Sequence, residues 1–280
     1  MKLASYTHNG RSGFGVVRDD HLVDLTGRDF GKSLKQALAG GALGEMRALA
    51  DTAEAGLSVN DVTLLPPVVS PGKVFCIGVN YRKHVLEMGR DLPEHPWVFT
   101  RSADSFVGHG ESMLRPAVSE QFDFEGELAL VIGKTAHRVA ADAALDYVAG
   151  YCCLNDGSIR DFQRHSGQFT PGKNFWRSGA MGPWLVTADE VGDPAGLALE
   201  TRLNGEVMQA APTSDLIFDV PTLIEYCSTF ARLEPGDVIA TGTPGGVGAA
   251  RKPPVWLQDG DTVEVSISGI GTLTNTVVDE

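Results

Sequence analysis

The sequence predicts a β-rich α+β fold. Three observations carry that prediction: short alternating or wholly apolar runs recur along the chain, turn signals separate them, and only a few short segments show a helical period. The 280 residues are 42% hydrophobic and 21% charged, as in a folded globular protein with material for a large core. A formal net charge of −13 argues against a nucleic-acid or anionic-membrane surface. No apolar run approaches a membrane span and the first residues do not read as a signal peptide, so a cytoplasmic protein is expected. Of the four cysteines, Cys152 and Cys153 are adjacent in an apolar run. They offer no CxxC site, argue against zinc, and read as buried thiols in a reducing compartment.

The first elements are strands around residues 3–6, 13–17 and 21–25, with turns at Asn9-Gly10 and Asp19-Asp20. Two helical faces follow, one built on Leu34, Ala37 and Leu38, the other on Leu43, Met46, Leu49, Ala50 and Ala53. Residues 62–72 hold three prolines and read as an extended connector. The expected division is a small N-terminal α+β domain over 1–70 and a larger one over 71–280. No internal repeat is visible.

Residues 74–79 read as a buried strand entering a helix with Asn80 as N-cap. On that helix His84 and Glu87 are three apart and share a face. A carboxylate beside an imidazole tunes a general base, but surface His–Glu pairs are also common. Polar residues 89–96 suit a lid. Arg101, after the strand at 97–101, suits either an anionic substrate or a neighbouring acid.

Residues 122–132 read as one strand. Its alternation places Glu125 and Glu127 on one side, and the apolar run 128–132 fits burial on both faces. Two such carboxylates are costly to desolvate unless a cation or proton shares them. A third, Asp156, stands at the tip of the buried-looking strand 148–156, after a short helix at 140–147. A helical turn carries Arg160, Asp161 and Gln163. Lys173 lies among turn and aromatic residues, where a packed stem with an outward ammonium is the ordinary reading; an electrophilic lysine is the alternative. Asn204-Gly205 signals a hairpin, and Asp219-Val220-Pro221 opens a helix with Leu223, Tyr226, Cys227 and Phe230 as its expected buried face. The glycine-rich loop 242–248 follows a strand but lacks the phosphate-loop and dinucleotide patterns, leaving Thr243 and the backbone to hold a carboxylate. Alternating strands at 262–267 and 271–278 close the chain.

These blocks together resemble the fumarylacetoacetate hydrolase family over most of residues 73–280. They are Gly78-Val79-Asn80-Tyr81 with His84 and Glu87, Phe124-Glu125-Gly126-Glu127-Leu128-Ala129, Asn155-Asp156 with Arg160, Asp161 and Gln163, and Gly172-Lys173. Gly182-Pro183-Trp184, Asn204-Gly205-Glu206, residues 234–239 and residues 241–244 complete the set. The resemblance implies a mixed β-roll and one divalent cation on Glu125, Glu127 and Asp156. Three carboxylates without a Cys or His motif form a hard oxygen site suited to Mg²⁺ or Mn²⁺. It further implies a keto or diketo acid substrate, His84 oriented by Glu87 as base, Lys173 as added positive charge, and Gln163 and Thr243 positioning the substrate. Arg101 is carried as a further candidate contact. A homodimer is implied too. The expected reaction is hydrolysis of a C–C bond in an acylpyruvate-like acid, as in aromatic catabolism, with pyruvate leaving as its enolate. Isomerisation of a hydroxymuconate-type diacid or decarboxylation of an oxaloacetate-type acid are the alternatives, and a keto-acid-binding protein without turnover is a third.

Overall fold

The computed structural model describes residues 1–54, 56–87 and 91–280, apart from the side chains of His84 and Glu87. Among these residues a 12-stranded sheet follows the order Leu57–Ser58, His21–Asp24, Arg11–Arg18, Lys2–His8, Gly179–Thr187, Val148–Asn155, Gly126–Ile132, Val238–Ala240, Val74–Gly78, Trp97–Thr100. Thr63–Leu65 and Phe106–Val107 attach to Lys2–His8 and Gly179–Thr187. A five-stranded sheet runs Glu206–Pro212, Ala198–Leu203, Thr262–Ile267, Gly271–Asp279, Met113–Arg115. Most neighbours are antiparallel, but Val238–Ala240 runs parallel to Val74–Gly78, Gly271–Asp279 to Met113–Arg115 and Gly179–Thr187 to Phe106–Val107. The fold is α+β with mixed sheets, as expected.

The Gly126–Ile132 strand is buried at every position because it faces two cores. Leu128, Leu130 and Ile132 pack in one cluster with Leu199, Val263, Val265 and Leu273 of the smaller sheet and Leu223 and Ile224 of the Val220–Phe230 helix. Ala129 and Val131 point the other way, into a cluster with Leu3, Phe14, Leu34, Leu38 and Met46. The period of two explains the division: the large aliphatics fill the roll, and the smaller ones let the N-terminal helices approach.

Local signals hold at the turns. Asn9-Gly10 and Asn204-Gly205 both take positive φ, as a two-residue hairpin of matching twist requires. The Asp219 side chain accepts from the Thr222 N–H at 3.0 Å and caps the Val220–Phe230 helix. Four expectations need correction. Residues 63–65 of the connector form a strand on Lys2–His8, because an extended chain beside an unpaired strand finds its hydrogen bonds there. Asn80 does not cap a helix. Its amide donates to the carbonyls of Phe218 and Thr241 and accepts from the Phe218 N–H, so it ties three segments together. The buried stripe of the Val220–Phe230 helix is Val220, Leu223, Ile224 and Cys227, while Phe230 is 57% exposed. Finally, the carboxylate strand is two strands, Phe122–Asp123 and Gly126–Ile132, interrupted at Phe124 and Glu125. All four cysteines are buried and unpaired by disulfides.

Candidate functional site

Two antiparallel neighbours bring the acids together. Glu127 lies opposite Leu154 and Gly126 opposite Asn155, so Asp156 falls just past the strand end, where its N–H donates to the Glu125 carbonyl at 2.8 Å. The Glu125 N–H donates to the Asn155 side chain, which fixes the interruption in the strand. Between the two glutamates only glycine fits: a Cβ on Gly126 would stand 2.0 Å from the Thr201 hydroxyl. Glu125, Glu127 and Asp156 each present a carboxylate oxygen within 4.8 Å of the others, and all three are buried.

Lys173 departs from the ordinary reading of a lysine whose ammonium reaches outward. Its ammonium turns inward, 2.8 Å from Glu125 Oε2 and 2.6 Å from Asp156 Oδ2, and the residue is 1% exposed. Two desolvated carboxylates outweigh the hydration that would otherwise draw the ammonium out. Lys173 is held there by its short helix, Thr170–Lys173, packed on the Arg160–Gln163 turn; a Cβ on Gly172 would meet the Gln163 nitrogen at 2.4 Å. Arg160 completes the floor, reaching Glu125 Oε1 at 2.5 Å, Asp123 at 2.7 Å and Gln163 Oε1 at 2.9 Å.

Four buried carboxylates (Asp123, Glu125, Glu127, Asp156) thus meet three buried cations, Arg101, Arg160 and Lys173. Glu127 bears the excess. Burial, Asp156 and Glu125 together push its carboxyl well above the ordinary range, while among the described residues only the Gly242 N–H supports its charge through a hydrogen bond, at 2.8 Å. Burial would raise Glu125 as well, but Lys173 and Arg160 hold it down at about 2. Burial would lower the Lys173 ammonium, and Asp156 and Glu125 more than offset that, so it stays protonated. A cluster of hard oxygen donors with one uncompensated carboxylate fits a divalent cation, and Glu125, Glu127 and Asp156 would hold it.

Above this floor lies a cavity of about 490 Å³ lined by Glu125, Glu127, Arg160, Gln163, Lys173 and Thr243 together with apolar residues including Val79, Trp97, Phe99, Phe169 and Val247. Val79 takes φ 58°, a strained setting for a β-branched residue, at the lip of the cavity. Gln163 and Thr243 therefore reach the cavity. The Thr243 proton is committed to the Gly126 carbonyl, and the hydroxyl accepts from Gln209, so it has no donor left for a ligand. Arg101 requires correction: its side chain is wholly buried behind Asp156, not on the cavity, because Asp156 and the surrounding carbonyl and hydroxyl oxygens take every donor it has. His84 and Glu87 belong to the helix Arg82–Glu87, and their side chains lie outside the described residues. Sequence reasoning gave Asp123 and Arg160 no role. Asp123 shares the alternation of Glu125 and Glu127, and Arg160 stands three before Gln163 on one turn; both spacings were signals.

The fumarylacetoacetate hydrolase C-terminal family model matches residues 73–278. A curated relative, oxaloacetate tautomerase YisK of Bacillus subtilis, is 46% identical over 224 residues, covering 79% of this chain and 74% of its own. The structure of a fumarylacetoacetate hydrolase from Exiguobacterium antarcticum superposes with a TM-score of 0.90 at 40% identity, covering both chains completely. Maleylpyruvate hydrolase from Sphingobium sp. SYK-6, in complex with manganese(II) and pyruvate, superposes at 0.83 with 32% identity, over 100% of this chain and 99% of that one.

Proposed function

The chain belongs to the fumarylacetoacetate hydrolase family, and from that premise we propose that it is a divalent-metal-dependent enzyme that tautomerises oxaloacetate-type 2-oxo diacids. The observation that carries this reading is the convergence of Glu125, Glu127, Asp156 and Lys173 at one cavity, which Glu125, Glu127 and Lys173 line and beneath which Asp156 is buried. A bound Mg²⁺ or Mn²⁺ would supply Lewis acidity that stabilises negative charge on the 2-oxo oxygen. The residues of the chain do the rest. Lys173 adds a fixed positive charge at that oxygen's end of the cavity. Gln163, with its carbonyl oxygen occupied by Arg160, keeps its amide N–H groups for the substrate carboxylate. Apolar Phe99, Phe169 and Val247 limit water around the reacting carbon. Conversion of enol to keto breaks the enol O–H bond and forms a C–H bond at C3. His84, oriented by Glu87, serves as the group that takes or delivers a proton.

The second reading is hydrolysis of a C–C bond in an acylpyruvate-like acid, with the same floor and with His84 activating water. The His84–Glu87 spacing and the similarity to maleylpyruvate hydrolase support it. Tautomerisation takes precedence because it needs no attacking water and is the activity named for the curated relative at 46% identity. Ketonisation of enol-oxaloacetate, followed by its ultraviolet absorbance with Mn²⁺ present, tests the choice. Mass analysis of acetylpyruvate, fumarylpyruvate, oxaloacetate and hydroxymuconate-type diacid mixtures runs alongside it. Enol loss at unchanged mass, abolished in His84→Ala, is the expected result. Pyruvate plus a carboxylic acid establishes the hydrolase instead, and carbon dioxide a decarboxylase. The homodimer is part of the proposal, and a monomer mass in light scattering would remove it.

A further inference from the structure

We infer that Arg101 is a positioning residue: it fixes which oxygen of Asp156 faces the cavity floor and so sets the cation affinity of the three-carboxylate cradle. The inference rests on the metal reading above. It is carried by the completeness of the enclosure around this side chain. Nε donates to Ser105 Oγ at 3.1 Å. One terminal nitrogen donates to Asp156 Oδ1 at 2.5 Å and the Gly157 carbonyl at 3.0 Å. The other donates to the Ser105 carbonyl at 3.3 Å and Ser178 Oγ at 2.9 Å. Five N–H groups meet five acceptors, and none is left for a substrate.

The acceptors are themselves oriented. Ser105 Oγ gives its proton to the Ser102 carbonyl and Ser178 Oγ to the Phe175 carbonyl, so both hydroxyls turn lone pairs toward the guanidinium. The Phe106 ring covers its face, 4.4 Å from the guanidinium carbon to the ring centroid. Gly179 leaves no further room, since a Cβ there would lie 2.7 Å from a terminal guanidinium nitrogen. With Oδ1 of Asp156 held from behind, Oδ2 is the oxygen left for the centre, where it meets Lys173 at 2.6 Å. Free rotation of that carboxylate would present either oxygen at varying distance; the bidentate-capable, planar guanidinium removes that freedom. A lysine has the charge but three donors on one atom, and cannot satisfy acceptors placed around a fork.

The test is Mn²⁺ binding by calorimetry to the purified full chain and its Arg101→Lys variant, with turnover measured across Mn²⁺ and keto-acid concentrations. Arg101→Lys is expected to weaken Mn²⁺ binding about 10- to 100-fold, and to move the Mn²⁺ activation curve by the same factor. At saturating Mn²⁺ its KM for the keto acid stays at the wild-type value. Ser178→Ala, which keeps the charge and removes one acceptor, shows a smaller loss in the same direction and serves if Arg101→Lys does not fold. Wild-type Mn²⁺ affinity in both variants, with only thermal stability reduced, overturns the inference and leaves the metal site standing. A raised KM at unchanged Mn²⁺ affinity overturns it in favour of direct substrate contact. No Mn²⁺ binding by the wild type overturns the metal reading itself.

Discussion

With the metal role proposed for it, Glu127 is the residue at which folding and function pull in opposite directions. Its carboxyl is raised because burial and two neighbouring carboxylates oppose its charge. A group raised in this way stabilises the fold below its unfolded value of 4.5 and loses that contribution as pH rises through the folded value. Glu127→Gln should therefore raise the melting temperature of chelator-treated protein at neutral pH, by a few degrees on a scale of about 2 °C per kcal/mol for a chain of this length. The same variant should bind Mg²⁺ or Mn²⁺ at least about tenfold more weakly, having lost a charged ligand. Thermal melts in chelator and metal calorimetry check the two halves separately; unchanged metal affinity would remove Glu127 from the cradle. Glu125 behaves oppositely. Its carboxyl is held at about 2, so its contribution is present above 4.5 and is lost as pH falls from 4.5 toward 2. Lys173→Met should move that acid-unfolding transition to higher pH, and an unshifted urea-against-pH profile would contradict the pairing.

At the scale of elements, the site depends on two short helices that would not persist alone. Thr170–Lys173 and Arg160–Gln163 are four residues each, and what holds them is close approach at Gly172. A methyl group 2.4 Å from the Gln163 nitrogen cannot be absorbed by a side-chain rotation, because the obstacle is backbone. Gly172→Ala should separate the two turns by about 1 Å, displacing Lys173 and Gln163 together and lowering kcat on the order of 100-fold. Circular dichroism should remain that of the wild type. Full activity in this variant would show that the two turns do not need that contact. Both turns were legible in the sequence, but their mutual packing was not: the pattern of a four-residue helix contains no information about which backbone it touches.

For the whole molecule, residues 1–70 supply strands and helices to the same architecture as the rest of the chain. Leu3 pairs with Leu185 in the large sheet, and Leu34, Leu38 and Met46 cover the face of the roll carrying Ala129, Val131, Cys152 and Leu154. The sequence suggests a division at residue 70, and burial is shared across that position. We therefore expect residues 71–280 alone to expose that apolar face and to aggregate or melt without a cooperative transition. A soluble fragment with wild-type circular dichroism and intact metal binding would show an independent domain instead. No helix among the described residues is long and apolar enough to cross a membrane.

The sequence by itself determined most of the strands, the hairpin turns, the helix start at Asp219 and the identity of the three acids, because each depends on contacts within a few residues or on side-chain chemistry. It could not decide the direction of Lys173 or the place of Arg101. An ammonium among aromatic residues points to water unless two carboxylates from segments 17 and 48 residues away wait on the inner side. A guanidinium that suits either a substrate or a neighbouring acid is taken by an aspartate 55 residues on. Those outcomes belong to the tertiary structure, because they are set by how few charges the interior tolerates and by which opposite charges the large sheet and the two short helices deliver to the same buried place.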